Sequence, residues 1–90
     1  LEEVKAVAEK VNANVRTLGV ALTSCIPPAK GTAIFEIGDD EMEVGVGIHG
    51  EPGRERAKIQ PADTITETLF SAVADDLPFE AGDRVALMVN

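Results

Sequence analysis

Ninety residues make one domain at most, and a chain of this length buries only about two-thirds of its surface on folding. Hydrophobic residues are 44% and charged residues 27% of the chain, and 16 Asp and Glu against 8 Lys and Arg leave a formal charge of -8. That sign opposes binding driven by phosphate neutralisation, so no nucleic-acid partner is expected. No stretch approaches the roughly eighteen consecutive apolar residues of a membrane span, and no basic-then-apolar leader opens the chain. One cysteine, Cys25, excludes an intrachain disulfide framework, and a total of one cysteine and one histidine leaves little for a structural zinc site. With no Trp or Tyr and only 3 Phe, a base-stacking platform is not expected either. The composition is that of an acidic, cytoplasmic, globular piece.

The first segment carries Val4, Val7, Val11, Val15, Leu18 and Leu22 at spacings of three and four. That spacing predicts one amphipathic helix, with Lys5, Glu9, Lys10 and Arg16 on its outer faces. Gly19 inside the pattern costs roughly 1 kcal/mol relative to Ala, or marks a close neighbour. Pro27-Pro28 forbid continuation, so Ser24 to Gly31 reads as loop. Thr32 to Ile37 is β-branched and aromatic, Met42 to Ile48 alternates, and Gly38-Asp39-Asp40-Glu41 between them has turn composition. The pair therefore predicts a β-hairpin, with Met42, Val44, Val46 and Ile48 on one face and Glu43, Gly45, Gly47 and His49 on the other. Gly50-Glu51-Pro52-Gly53 reads as a turn, and Arg54 to Ile59 as a short charged, extended connection. Pro61 and the capping box Thr64-Ile65-Thr66-Glu67, with Asp63 as a rival cap, open a second helix. Its buried stripe is Ile65, Leu69, Ala72, Val73 and Leu77, and Pro78 ends it. Ala81-Gly82-Asp83 turns the chain into a last strand, Val85 to Val89. The expected fold class is α+β: a small sheet including a β-hairpin with two helices packed on it, a two-layer sandwich.

The chain starts in helical pattern without a cap and stops in a strand-like run. Residues 1–90 are therefore expected to be a single domain taken from a larger protein, so part of any active site lies outside.

His49 is the one candidate with chemical context. A lone histidine is most often a surface or structural residue. This one follows glycines at alternating positions and precedes a glycine turn. Glycine inside a strand weakens it and commonly marks the close approach of a ligand or another backbone. Glu51, two residues on, is placed to orient or polarise the imidazole, against the plainer reading of a solvated turn glutamate. Asp39-Asp40-Glu41 is explained by the turn itself, and no metal site is expected there. Cys25 stands beside no base and reads as a buried or partly buried structural thiol. Arg54 and Arg56 read as exposed charges on a connector. No GxxxxGK[ST] loop exists, and Gly45-Val46-Gly47-Ile48-His49-Gly50 precedes no helix, so neither phosphate loop nor dinucleotide fingerprint is present.

The stretch Glu41-Met42-Glu43-Val44-Gly45-Val46-Gly47-Ile48-His49-Gly50-Glu51-Pro52-Gly53 resembles the GIHGEPG region of dihydroxyacetone (glycerone) kinases, in their K subunit or K domain. Arg16 to Cys25 is similar to the segment that precedes it there, and Val85 to Asn90 to the strand that follows. The ordered set of three is more specific than any one of them. The resemblance implies the second, smaller domain of a K subunit, in which His49 attacks the ketone of dihydroxyacetone and holds it as a covalent hemiaminal. It implies His49 as catalytic and substrate-binding residue, with Gly47 and Gly50 as substrate contacts and Gly45, Gly47 and Gly50 making room for the adduct. Glycerol has no carbonyl, so covalent capture discriminates by chemistry. Tethering also orients a hydroxyl for phosphoryl transfer, which is largely a positioning problem. The resemblance further implies no cofactor on this segment, because ATP, or ADP with Mg, belongs to a separate L subunit or domain. The acid and base groups belong to the preceding K domain of the same chain, so this segment alone is expected to be inactive. A homodimer is implied for the full protein. The alternative within the resemblance is a non-catalytic relative that captures dihydroxyacetone as a sensor or coactivator; a blander one is a purely structural domain.

Overall fold

The computed structural model describes residues 1–90. Its elements run α1 (Glu2–Asn14), β1 (Val20–Ala21), β2 (Glu41–Val44), β3 (Glu55–Lys58) and α2 (Ala62–Asp76). The strands form one antiparallel sheet in the order β1-β2-β3. Two helices and a small sheet containing a β-hairpin make the fold α+β, as expected from the pattern.

The first helix is shorter than its valine spacing predicts. It stops at Asn14, and Val15 is already extended at φ -114, ψ 137. Asn14 donates its side-chain amide to the Lys10 carbonyl at 2.8 Å, and Arg16 donates to the carbonyls of Ala13 and Val15 at 3.1 and 2.8 Å. The Arg16 bonds serve carbonyls at the helix end that have no intrahelical partner, and the Asn14 amide adds a second donor at Lys10. Val20 and Ala21 then pair with Val44 and Glu43, so Leu18 and Leu22 belong to an extended segment rather than to a helical stripe. Strand pairing overrides the helical period there.

The hairpin is also a different one. Residues 32–37 form no strand. The turn after Pro27, closed by Lys30 and Gly31 N–H groups on the Pro27 carbonyl, folds this segment back onto Ser24 and Cys25 instead. Ile34 N–H donates to the Cys25 carbonyl at 3.1 Å, and Phe35 N–H to Ser24 Oγ at 3.2 Å. The hairpin partner of β2 is β3, the charged segment read as a connection. Its register sets Glu41 opposite Lys58 and Glu43 opposite Arg56, with Met42 opposite Ala57. Opposite charges facing each other on one side of a two-strand ladder favour that register over its neighbours. Arg56 meets Glu43 at 2.8 Å and Glu41 at 4.0 Å. Met42, on the other side of β2, is the one buried residue, at 4% exposure. Alternation ends with the strand at Val44; Ile48 is 94% exposed, not in the core.

Helix α2 starts at Ala62, two residues ahead of the predicted capping box. Pro61 occupies the N-cap with no side-chain cap bond. Thr66 and Thr68 turn their hydroxyls back onto the carbonyls of Ala62 and Thr64 at 2.8 and 2.9 Å, so they serve the helix interior rather than its entry. The predicted stripe holds: Ile65, Leu69, Ala72, Val73 and Leu77 are all half-buried, and Pro78 follows the end. A turn is present at residues 81–82, closed by hydrogen bonds between Glu80 and Asp83, but residues 85–90 join no strand ladder and are exposed, so the last expected strand does not form here. No helix is long and apolar enough to cross a membrane.

Candidate functional site

Between β2 and β3 the chain makes a loop, residues 45–54, whose base is closed by an Arg54 N–H bond to the Val44 carbonyl at 2.7 Å. Glu43 reaches past the ladder to tie the loop's far limb: its Oε1 accepts from Gly53 N–H at 3.2 Å while its Oε2 accepts from Arg56 at 2.8 Å. A second, inner closure forms at the tip. Gly47 N–H donates to the Glu51 carbonyl at 3.1 Å, and Gly50 N–H donates to the Gly47 carbonyl at 3.0 Å. His49 stands on this inner turn with 80% of its side chain exposed.

Two glycines fix that tip. Gly50 has φ +82, a conformation that L side chains rarely adopt, and an added Cβ would meet the Ile34 side chain as well. Gly47 is needed for a different reason. A Cβ there would lie 2.7 Å from Glu51 Cδ and 2.9 Å from Glu51 Cβ. The bare faces of Gly47 and Gly50 are thus occupied by Glu51 and Ile34 of the same chain.

The Glu51 carboxylate lies over Gly47 and holds His49 at two points. Oε2 accepts the His49 backbone N–H at 3.0 Å, and Oε1 is 3.3 Å from the ring Nδ1. Backbone N–H groups, its own first and then that of His49, hold the Glu51 carboxyl below the ordinary carboxylate range; the His49 ring adds to this and desolvation opposes it. The Glu43 carboxylate on Arg56 raises the guanidinium above its already high value, so the charge at the loop base is constant. His49 Nε2 makes no hydrogen bond within the chain.

The structure therefore brings His49, Gly47, Gly50 and Glu51 together, and it promotes Glu51 from a turn residue to the histidine's direct partner. Asp39, Asp40 and Glu41 do not converge: no group of three or more His, Cys, Asp or Glu is placed to hold a metal ion. Glu41 instead closes its own turn, accepting Gly38 N–H at 3.0 Å. Cys25 is exposed, not the buried thiol the sequence suggested. Arg56 is no free connector charge, since it is paired across the ladder. Glu43 was legible only as a strand residue; its role in tying the loop depends on a partner ten positions away.

Neither of two broad surface depressions includes His49. One, about 600 Å³, lies between Arg16, Leu18, Arg54, Val73 and Asp76, and is spanned by an ion pair of Arg16 with Asp76. The other, about 640 Å³, runs from Leu22 past Phe35 to Arg56. The imidazole sits on an open loop tip, and within this chain nothing encloses it.

A family profile described as the Dak1 domain matches residues 1–90. The chain belongs to the Dak1 family. Its match to the K domain of dihydroxyacetone kinases extends over every residue. It is 50% identical over 90 residues to the dihydroxyacetone-binding subunit DhaK of PTS-dependent dihydroxyacetone kinase 1 from Listeria innocua, covering 100% of this chain and 27% of that protein. It is 38% identical to the corresponding DhaK subunit from Lactococcus lactis, with the same shares of 100% and 27%. It is 39% identical to D-erythrulose kinase from Mycolicibacterium smegmatis, covering 100% of this chain and 16% of that one. The chain thus spans about a quarter of the length of its DhaK relatives, 27%.

Proposed function

We propose that the chain is the substrate-binding part of a dihydroxyacetone kinase, and that His49 captures dihydroxyacetone covalently for phosphorylation to dihydroxyacetone phosphate. The observation that carries this reading is the imidazole at the loop tip, exposed, with Nδ1 engaged by Glu51 and Nε2 free. A neutral imidazole with one free nitrogen has a lone pair to offer, and a ketone accepts it. Nε2 forms a bond to the carbonyl carbon, the π pair of C=O moves to oxygen, and the ring loses its Nδ1 proton as the oxygen gains one. The net change adds N–H across C=O and gives a hemiaminal without oxidation or reduction.

An open tip suits this chemistry. A three-carbon ligand has few handles, and within the chain no wall surrounds His49, so a covalent bond supplies the fixed point. Gly47 and Gly50, whose bare faces take Glu51 and Ile34, remain the neighbouring substrate contacts through their backbone. Relatives are named for dihydroxyacetone and for erythrulose, both hydroxyketones, so the carbonyl is the feature that their substrates share.

The segment belongs to a larger K subunit, a reading supported by the 27% coverage of its relatives. The valine stripe of α1, with Val4, Val7 and Val11 exposed at 68%, 62% and 57%, also lacks a cover within these residues. The preceding K domain of the same chain brings the acid and base, and the full protein is a cytoplasmic homodimer. ATP, or ADP with Mg, sits on a separate L subunit or domain, so residues 1–90 alone have no kinase activity. Crystals of the full-length protein soaked in dihydroxyacetone are expected to show continuous density from Nε2 to the substrate carbon. The His49→Ala protein is expected to show none; an adduct on another residue, or free imidazole at saturating ligand, overturns the reading.

A further inference from the structure

Resting on that reading of His49, we propose that Glu51 is its positioning residue, and that Gly47 is bare so that the Glu51 carboxylate can fold onto the histidine. Two donors belong to His49, the backbone N–H and the ring Nδ1–H, and one carboxylate meets both, at 3.0 and 3.3 Å. A carboxylate has an acceptor oxygen for each donor; an amide of the same shape has only one. With Nδ1 as donor, the ring is held in the tautomer whose lone pair lies on Nε2, the nitrogen that is free to react. The same contact fixes the rotation of the ring, which nothing else in this open loop restrains.

The space for this arrangement exists only because residue 47 has no side chain. A Cβ there would lie 2.7 Å from the carboxylate carbon and 2.9 Å from Glu51 Cβ. The carboxylate is the mobile end of Glu51, so an alanine at 47 displaces it and opens the clamp. Gly47 shows no positive φ, so the substitution meets no left-handed backbone penalty, while Glu51 Cβ at 2.9 Å has to shift along with the carboxylate. Glu51 has no ion-pair partner other than His49, and no other acid or base contacts the ring. Its lowered pKa keeps the Glu51 carboxyl ionised at neutral pH.

Chemically, Glu51 touches neither substrate nor reacting carbon. As the Nε2–C bond forms, positive charge develops on the ring, and a carboxylate on Nδ1–H stabilises it. The Nδ1 proton then passes to solvent while the carbonyl oxygen takes one from solvent, leaving the neutral hemiaminal. The carboxylate is unchanged at the end.

The test uses the full-length protein in four forms besides wild type: His49→Ala, Glu51→Gln, Gly47→Ala and the Glu51→Gln/Gly47→Ala double variant. Adduct formation is followed by NMR with carbonyl-labelled dihydroxyacetone, and the His49 tautomer by ring nitrogen shifts. Wild type is expected to show one tautomer, protonated on Nδ1. Glu51→Gln and Gly47→Ala each slow adduct formation on the order of tenfold and mix the tautomers, as for other outer partners that orient a reactive imidazole. The double variant is no slower than the slower single one, because both remove the same contact. Glu51 is 58% exposed, so Glu51→Gln leaves the fold intact, which keeps the test open if Gly47→Ala does not fold. Wild-type rates and an unmixed tautomer in Glu51→Gln, with the adduct lost only in His49→Ala, overturn the clamp and leave covalent capture standing. An adduct that survives in His49→Ala overturns both.

Discussion

The β2–β3 hairpin and helix α1 stand at opposite ends of self-sufficiency. The hairpin carries the one buried side chain, two cross-strand acid–base pairings and a loop closed at its base, limb and tip. Helix α1 has a clear valine stripe and buries none of it. The Cα radius of gyration, 16.4 Å, also exceeds the roughly 12 Å of a compact domain of this length. An apolar stripe is a demand for a partner, and it yields stability only where the partner is present. A hydrogen-bonded loop on a short ladder meets most of its own demands locally. The reactive histidine is on the part that does so.

This contrast can be broken most directly at its centre. Met42→Ala is expected to cost about 2 kcal/mol, the low end for a buried methionine because the surrounding core is small. Chemical denaturation of the full-length protein measures it, and a negligible loss would mean that the hairpin has no core of its own. Glu43→Ala comes next. It frees Gly53 N–H and Arg56 together, so hydrogen exchange at residues 50–54 is expected to rise severalfold with little change in the helices. Uniform exchange across the chain would show that Glu43 does not tie the loop.

In α1 the expectation is reversed. Replacing Val4, Val7 and Val11 by serine together is expected to leave the melting of the 90-residue chain almost unchanged while lowering that of the full-length protein clearly. Equal effects in both would place the cover for α1 within these 90 residues. The smallest effect is that of pH. The Glu51 carboxyl titrates below its ordinary 4.5, so the loop stabilisation it provides is complete above that value. That stabilisation is lost as pH falls through the lowered folded value. The Glu51 side-chain carboxyl shift, followed from neutral pH downward, is expected to show its main transition below pH 4.5.

The second helix shows what periodicity can decide. Its stripe of Ile65, Leu69, Ala72, Val73 and Leu77 is the half-buried face of α2, and Pro78 stands at its end as read. Its start lies ahead of the capping-box pattern Thr64–Glu67, a pattern that ordinary helix interiors share. Pro61 at the N-cap starts it earlier. In the first segment the spacing of Val15, Leu18 and Leu22 continues the helical period by coincidence of composition. Whether such residues coil or pair depends on whether an open strand edge is near, and β2 provides one at Val44 and Glu43. The hairpin pairs a different segment from the one composition favours, for a related reason. Thr32 to Ile37 has the better strand composition, but Glu55 to Lys58 has the complementary charges for Glu41 and Glu43.

By itself, the sequence determined the elements whose causes are local: a helix in each half of the chain, a turn at Gly38 to Glu41, the stop at Pro78, and a glycine-lined loop around one histidine. It also carried the family resemblance that the Dak1 match bears out over residues 1–90. Only the tertiary structure decided which strands pair, that Ile48 faces solvent, and that Gly47 and Gly50 make way for Glu51 and Ile34. The physical reason is range. Turn chemistry and helical period are set by neighbours a few residues apart. A strand's partner, or the side chain that fills the space above a glycine, is set by whichever segment the folded chain brings within a few ångströms.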